Sequence, residues 1–314
     1  MENQSVETVL YDNEGFYMST IRVSDLDFVF ISYREPNCEE NYADLLNKVP
    51  WAKRVHGVVG FDSAHKAAAE QAETDFFISI DGDNVLDPSF LLQTLDWTKT
   101  NPKAVHRWKA RNSVNGLIYG NGGVVGWPRE TCLTMRTHEN ADDERAKIDF
   151  CWTVPHENLH NVYSETVINA SPEQAFLAGF REGVKMSLDK NVRLPLKQLW
   201  WQNYQRLLVW MSVGMDNPLG VYAIHGARTG CYLTTCTDWD FTQANEYRYF
   251  EKYWRFELHD DKTTDFYKDS IELGRKITAE HEIELSIEPL SAEQSKFFKQ
   301  VYLNTPRIWK RRTI

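Results

Sequence analysis

The chain has 314 residues, 42% of them hydrophobic and 25% charged, with a formal net charge of −10. That length suits one large domain or a domain with an addition, and the mix is that of a globular protein. The acidic balance excludes a protein that coats nucleic acid by neutralising phosphates, and no apolar run approaches the roughly 20 residues that span a bilayer.

The opening residues, MENQSVETVLYDNEG, carry no signal-peptide pattern, so a cytoplasmic location is expected. Residues 26–33, LDFVFISY, predict a buried strand. A turn-rich REPNCEEN follows, then a short helix over 40–48 and a second strand over 53–59. DSAHKAAAEQAE, residues 62–73, predicts a helix capped by Asp62 or Ser63. Its Ala64, Ala67, Ala68 and Ala72 form a small-residue stripe suited to close packing on a sheet. TDFFISI returns as a strand. Strand, helix, strand, helix, strand is the pattern of a parallel α/β sheet.

That last strand ends in Asp81-Gly82-Asp83. In open parallel sheets ligands bind beyond the carboxyl ends of the strands. Glycine lets the backbone turn and a ligand come close. Two carboxylates one residue apart repel unless a cation sits with them, and a hard divalent ion suits that donor set.

Further on, VHRWKAR (105–111) predicts a strand carrying a small basic cluster. LIYGNGGVVGW (117–127) reads as a glycine-rich loop, and an acidic run spans 138–149. Residues 171–188 open with Ser-Pro-Glu and predict a capped helix. A second helix is expected over 194–214, then an apolar run over 220–233 broken by His225-Gly226. The last 80 residues read as helices and loops. They close on a basic tail of Arg307, Lys310, Arg311 and Arg312, taken as solvated surface. Cys38, Cys132, Cys151, Cys231 and Cys236 include no CxxC pair and are read as reduced thiols.

The Asp81-Gly82-Asp83 behind an apolar strand and a small-residue helix, NGGVVG at 121–126, the acids from Glu139 to Glu144, and His225-Gly226 together resemble nucleotide-sugar-dependent glycosyltransferases of the GT-A fold. The likeness runs from about Phe28 to Arg228. SYREPNCEENYADLLNKVPWAKRVHGV, AHKAAAEQAETDFFISIDGD and YGNGGV also resemble predicted glycosyltransferases of tailed bacteriophages. Some of that wider set decorate hydroxymethylated pyrimidines in DNA.

The resemblance implies a Rossmann-like α/β core over 1–233, its sheet mostly parallel and flanked by helices, with a mostly helical C-terminal appendage over 234–314 packed on it. It implies manganese or magnesium held by Asp81, Asp83 and His225. It implies a nucleotide-diphosphate sugar donor, with UDP-sugar first, and a sugar pocket formed by Gly122 and Gly123. The acceptor hydroxyl could be that of a 5-hydroxymethylpyrimidine in phage DNA.

Beside that, the first strand end offers Ser32, Tyr33 and Glu35 to a nucleobase. His65 and Lys66 begin the helix facing it, and Arg228 matches phosphate geometry. Asp149, Asp143 and Glu173 are the candidate bases for an inverting transfer. Two other readings use the same residues. One is a paired-carboxylate glycoside hydrolase, whose two carboxyls need a separation of about 5 Å or more. The other is a nucleotide-sugar-binding protein without catalysis.

Overall fold

The computed structural model describes residues 20–119, 123–142, 150–190, 192–245, 249, 252–255 and 265–304. The chain forms two compact units. One runs to Arg111 and resumes over Ile118–Val167, and the other comprises Asn112–Leu117 and everything from Ile168 on. The boundary expected at residue 233 falls inside a helix, and the division lies at Val167–Ile168 instead.

The first unit contains β1 (Thr20–Arg22), β2 (Asp27–Ser32), α1 (Cys38–Lys48), β3 (Lys53–His56), α2 (Phe61–Gln71), β4 (Phe76–Asp81), β5 (Asn84–Leu86), β6 (Thr94–Asp96), β7 (Val105–Asn112), β8 (Ile118–Tyr119), β9 (Val124–Pro128), α3 (Arg129–Thr134) and β10 (His156–Thr166). β2 pairs in parallel with β3 and β4. β4 pairs antiparallel with β9, as do β9 with β7 and β10 with β5. The sheet is therefore mixed, not mostly parallel. The three strands expected to be parallel are so, and the glycine-rich stretch supplies an antiparallel strand, β9.

Hydrogen-bond order across this sheet is β3-β2-β4-β9-β7-β10-β5. β4 and β5 lie four steps apart in that order, about 19 Å in a flat sheet. Yet β4 ends at Asp81 and β5 starts at Asn84, a link that spans at most about 10 Å. The sheet must curl, so that edge strand β5 returns to the end of β4 at the Asp81-Gly82-Asp83 turn.

Alternation along β2 sends Phe28 and Phe30 to one face, with Phe76, Ile78 and Ile80 of β4 and Cys38 and Leu45 of α1. Val29 and Phe77 point to the other face, against Ala68 and Ala69 of α2. β4 is buried on both faces, which explains its unbroken apolar run. α2 begins one residue before the expected cap, at Gly60 with φ 101°. Its N-terminal amides are satisfied by Glu139, whose carboxylate accepts from the backbone N–H of Asp62 (3.2 Å) and Ser63 (2.9 Å). Asp62 is instead a buried acceptor for the Thr137 backbone N–H (2.7 Å) and the Thr137 hydroxyl.

The second unit holds α4 (Pro172–Met186), a hairpin of β11 (Leu188–Asp189) and β12 (Val192–Arg193), α5 (Trp201–Trp210), α6 (Gly220–Cys236), α7 (Phe266–His281) and α8 (Ala292–Asn304). Ser171 caps α4 by accepting from the Gln174 N–H. α6 is continuous through His225-Gly226, where the sequence suggested a break. α4 and α6 touch backbone to backbone. A Cβ at Gly226 would strike the carbonyl oxygen of Phe176, one at Gly230 that of Phe180, and one at Gly179 that of Ala223. We expect Gly226→Ala to force the helices apart and lower stability by about 1–3 kcal/mol, read from urea unfolding of the full chain.

Candidate functional site

Asp81 closes β4 on an exposed position, and Asp83 is half-buried two residues on. The turn between them is fixed by its neighbours. The Asp81 N–H donates to the carbonyl of Gly123 (2.8 Å), the Asp83 carbonyl accepts from Val167 N–H (2.7 Å), and the Asn41 amide donates to the Gly82 carbonyl (2.9 Å). Buried Asn84 donates from its amide to Asp83 Oδ1 (2.7 Å) and accepts the Thr166 hydroxyl (3.3 Å), which orients the Asp83 carboxylate. At Gly82 an added methyl would lie 2.7 Å from Glu35 Oε2 and 2.9 Å from Ser32 Cβ. One at Gly123 would strike Asp81 Cβ and the Asn84 amide.

The structure thus brings Ser32, Tyr33 and Glu35, predicted from the end of the first strand, to the turn. Their roles differ. Glu35 Oε2 accepts from the Tyr33 N–H (2.7 Å) and sets a third carboxylate against Gly82, between the two aspartates. Tyr33 is half-buried, with the Arg34 guanidinium 5.1 Å from its ring centroid. Ser32 is only 3% exposed, and its hydroxyl accepts from Arg54 Nε (3.1 Å) and pairs with His56 Nδ1 (2.9 Å), so it does not face a base.

Arg54 organises the strand ends behind this turn. Its guanidinium grips Glu39 through both oxygens (2.8 and 2.6 Å) and reaches His56 Nδ1 (3.1 Å) and Cys38 Sγ (3.6 Å). An arginine can only donate, so His56 Nδ1 is the acceptor of its ring. The ligand atoms of Cys38, Glu39 and His56 lie within 4.8 Å of one another, a spacing a metal would accept. Here the guanidinium already supplies the positive charge among them, and it draws the Glu39 carboxyl below its usual range.

Two further predicted residues of the sheet unit lie on α2. His65 is buried in α2, its Nδ1–H donating to the Phe61 carbonyl (2.9 Å) and its ring packed on Phe61 and Trp127. Lys66 is exposed on the same helix. Glu173, His225 and Arg228 belong to the helical unit. Glu173 sits in the first turn of α4, where a carboxylate favours the helix dipole. His225 donates from Nδ1 towards the Ser270 hydroxyl (3.3 Å) between the rings of Phe176 and Phe266. Arg228 is fully buried, and its guanidinium donates to the carbonyls of Met211, Ser270, Ile287 and Ser286 at 2.6–2.9 Å. Those donors hold α6, α7 and two loops together, so Arg228 is a structural clamp and not a phosphate ligand. Asp143, Asp149 and Gly122 lie outside the described residues.

Asn41, Asn84 and Arg54 went unread in the sequence. The one local signal was Asn84 directly after Asp83, since an amide beside a carboxylate at a strand end is a common way to fix it.

No protein-family model matches this sequence, and comparison with curated proteins finds no match. Among solved structures the chain is similar to HddC from Yersinia pseudotuberculosis, at 13% identity, covering 44% of this chain and 91% of that one, with a TM-score of 0.25. The sheet unit is of mixed α/β class, and among the described residues no helix is long and apolar enough to cross a membrane.

Two outcomes follow from this geometry. Gly82→Ala should push Glu35 or the turn aside, weakening any ligand of Asp81 and Asp83 by about tenfold or more at a stability cost of about 1–3 kcal/mol; titration calorimetry beside urea unfolding separates the two. Burial holds the His65 imidazole down at about 4. Unfolded, the ring takes a proton below about pH 6.5, so the unfolded state gains protons first as pH falls. The stability from neutral His65 is complete above pH 6.5 and is lost towards pH 4, at about 1.4 kcal/mol per pH unit. His65→Phe should remove that increment of slope between pH 6.5 and 5 in unfolding measured across pH.

Proposed function

We propose that the chain is a divalent-metal-dependent glycosyltransferase. In this reading it moves a sugar from a nucleotide-diphosphate donor, UDP-sugar first, to an acceptor hydroxyl. The observation that supports it is the Asp81-Gly82-Asp83 turn. Two carboxylates stand at the carboxyl end of the strand that closes a three-strand parallel block, held by Asn41, Asn84 and Gly123, with Glu35 against the glycine between them.

This donor set is all oxygen, so it fits manganese or magnesium better than a softer ion. Asp83, oriented by Asn84, and exposed Asp81 would hold it. His225, packed inside the helical unit, is not part of that set. A divalent ion at this place would offset the charge that develops on a diphosphate leaving group. The chain's own part is to fix the carboxylates, and to present Tyr33 beside them as a surface on which a nucleobase can stack. The paired-carboxylate hydrolase fits less well, because both acids share one turn instead of flanking a bond.

Calorimetry with a panel of nucleotide diphosphates and their sugars, with and without manganese, tests this. Manganese-dependent binding in the native chain, reduced at least about 100-fold in Asp83→Ala, is the expected result. It would open an acceptor screen beginning with hydroxymethylated DNA. Failure of every nucleotide to bind, with or without metal, would remove the transferase reading.

A further inference from the structure

The C-termini of two helices in the second unit bring together a thiol and an imidazole that the glycosyltransferase reading does not use. Cys236 is the last residue of α6 and His281 the last of α7. Cys236 Sγ lies 3.5 Å from His281 Nε2. A tetrahedral zinc with Zn–S of ~2.3 Å and Zn–N of ~2.0 Å places its sulfur and nitrogen ~3.5 Å apart. The pair is therefore already at the bite of such an ion. Both side chains are half-buried, and Cys236 opens on a surface hollow of about 380 Å³ that is also lined by Glu280, Lys276 and Tyr232. Glu280 is exposed on the rim, one residue before His281. Lys276 stands over the Tyr232 ring, 5.8 Å from its centroid.

Two further features favour a cation there. The last carbonyls of a helix carry partial negative charge, and two helices end at this spot. The hydrogen bonds also leave the imidazole easily turned to a ligand. The Thr235 hydroxyl donates to the Cys231 carbonyl (2.8 Å), so it accepts from His281 Nε2–H (2.9 Å). Exchange of that proton to Nδ1 frees the Nε2 lone pair without any change of charge.

We infer that Cys236 and His281 form a binding site for a thiophilic divalent cation of the zinc type, its remaining positions left to water. Binding replaces the Cys236 S–H bond by a metal–sulfur bond and releases that proton to solvent. The imidazole changes tautomer only, so one proton leaves per ion bound. Another thiol–imidazole group among the described residues, Cys38 with His56, is less suited, because the Arg54 guanidinium already lies among its ligand atoms.

The test uses the full chain and cobalt(II) alone, whose thiolate charge-transfer band in the near ultraviolet reports a sulfur ligand and is silent for an all-oxygen site such as Asp81 and Asp83. The expected result is a saturable band with tetrahedral visible bands, displaced by equimolar zinc. It should be retained in Cys38→Ser, lost in Cys236→Ser and weakened at least tenfold in His281→Gln. Far-ultraviolet circular dichroism and thermal unfolding show whether the variants keep the native fold. Calorimetry in buffers of different ionisation enthalpy should count the released proton. A native chain with no thiolate band overturns the proposal, as does a band that survives Cys236→Ser or vanishes in Cys38→Ser.

Discussion

Where β4 passes into β5, the backbone of Gly82 lies so close to Glu35 and Ser32 that a single methyl group would not fit. The sheet curls until its edge strand β5 returns to β4, and a tight turn joins the two. Three backbone groups of the link are tied by its neighbours. Asn41 holds the Gly82 carbonyl, Val167 the Asp83 carbonyl and Gly123 the Asp81 amide. Rigid placement matters more than affinity at this point. Two carboxylates on a loose turn would move apart, because their repulsion is relieved by separation. Held by the sheet, they stay on one fixed turn.

Glycine acts differently in the helical unit. Gly179, Gly183, Gly226 and Gly230 have helical neighbours on each side and need no unusual dihedrals; they remove side chains so that α4 and α6 can lie backbone on backbone. Such contact gains dispersion over a long strip, but it buries the flanking polar residues. Arg228 is the consequence. Its charge is kept where no water reaches, at the cost that burial lowers the guanidinium to about 10. Carbonyl oxygens of four residues in three chain segments, Met211, Ser270 and Ser286–Ile287, compensate.

Those two uses of glycine explain where the sequence is readable and where it is not. The strand–helix order up to Asp81 is legible because β2, α2 and β4 each carry a clean apolar pattern and burial follows it. The turn is legible because acids end an apolar run. The antiparallel half of the sheet is legible only at β7, the predicted VHRWKAR strand; β9 lies in the glycine-rich stretch, and β5 and β8 are too short to show a period. His225-Gly226 reads as a loop ligand because small residues beside a histidine look alike in a loop and in a close-packed helix; only the partner helix α4 distinguishes them. Glu139 illustrates the converse. Within an acidic run read as solvated loop, it is the cap of a helix that begins 78 positions earlier in the chain, at Phe61, and no local pattern reveals a partner at that separation.

Donor chemistry also separates the two places in this chain where a cation is argued to sit. The Asp81–Asp83 turn has oxygen donors alone, held by amides and backbone, and hard ions that keep several waters suit it. Cys236 and His281 offer sulfur and nitrogen, where affinity rises steeply along the first-row series and manganese ranks last. A medium containing both ions would therefore sort them between the sites without either site excluding the other by shape. The Cys38–Glu39–His56 group shows what removes a third such place. With Arg54 among its ligand atoms, the group has a permanent cation that never needs to dehydrate, and any metal would have to displace a guanidinium held bidentately by Glu39. The same arginine orders Ser32 behind the aspartate turn, so a fixed organic charge supplies rigidity at these strand ends.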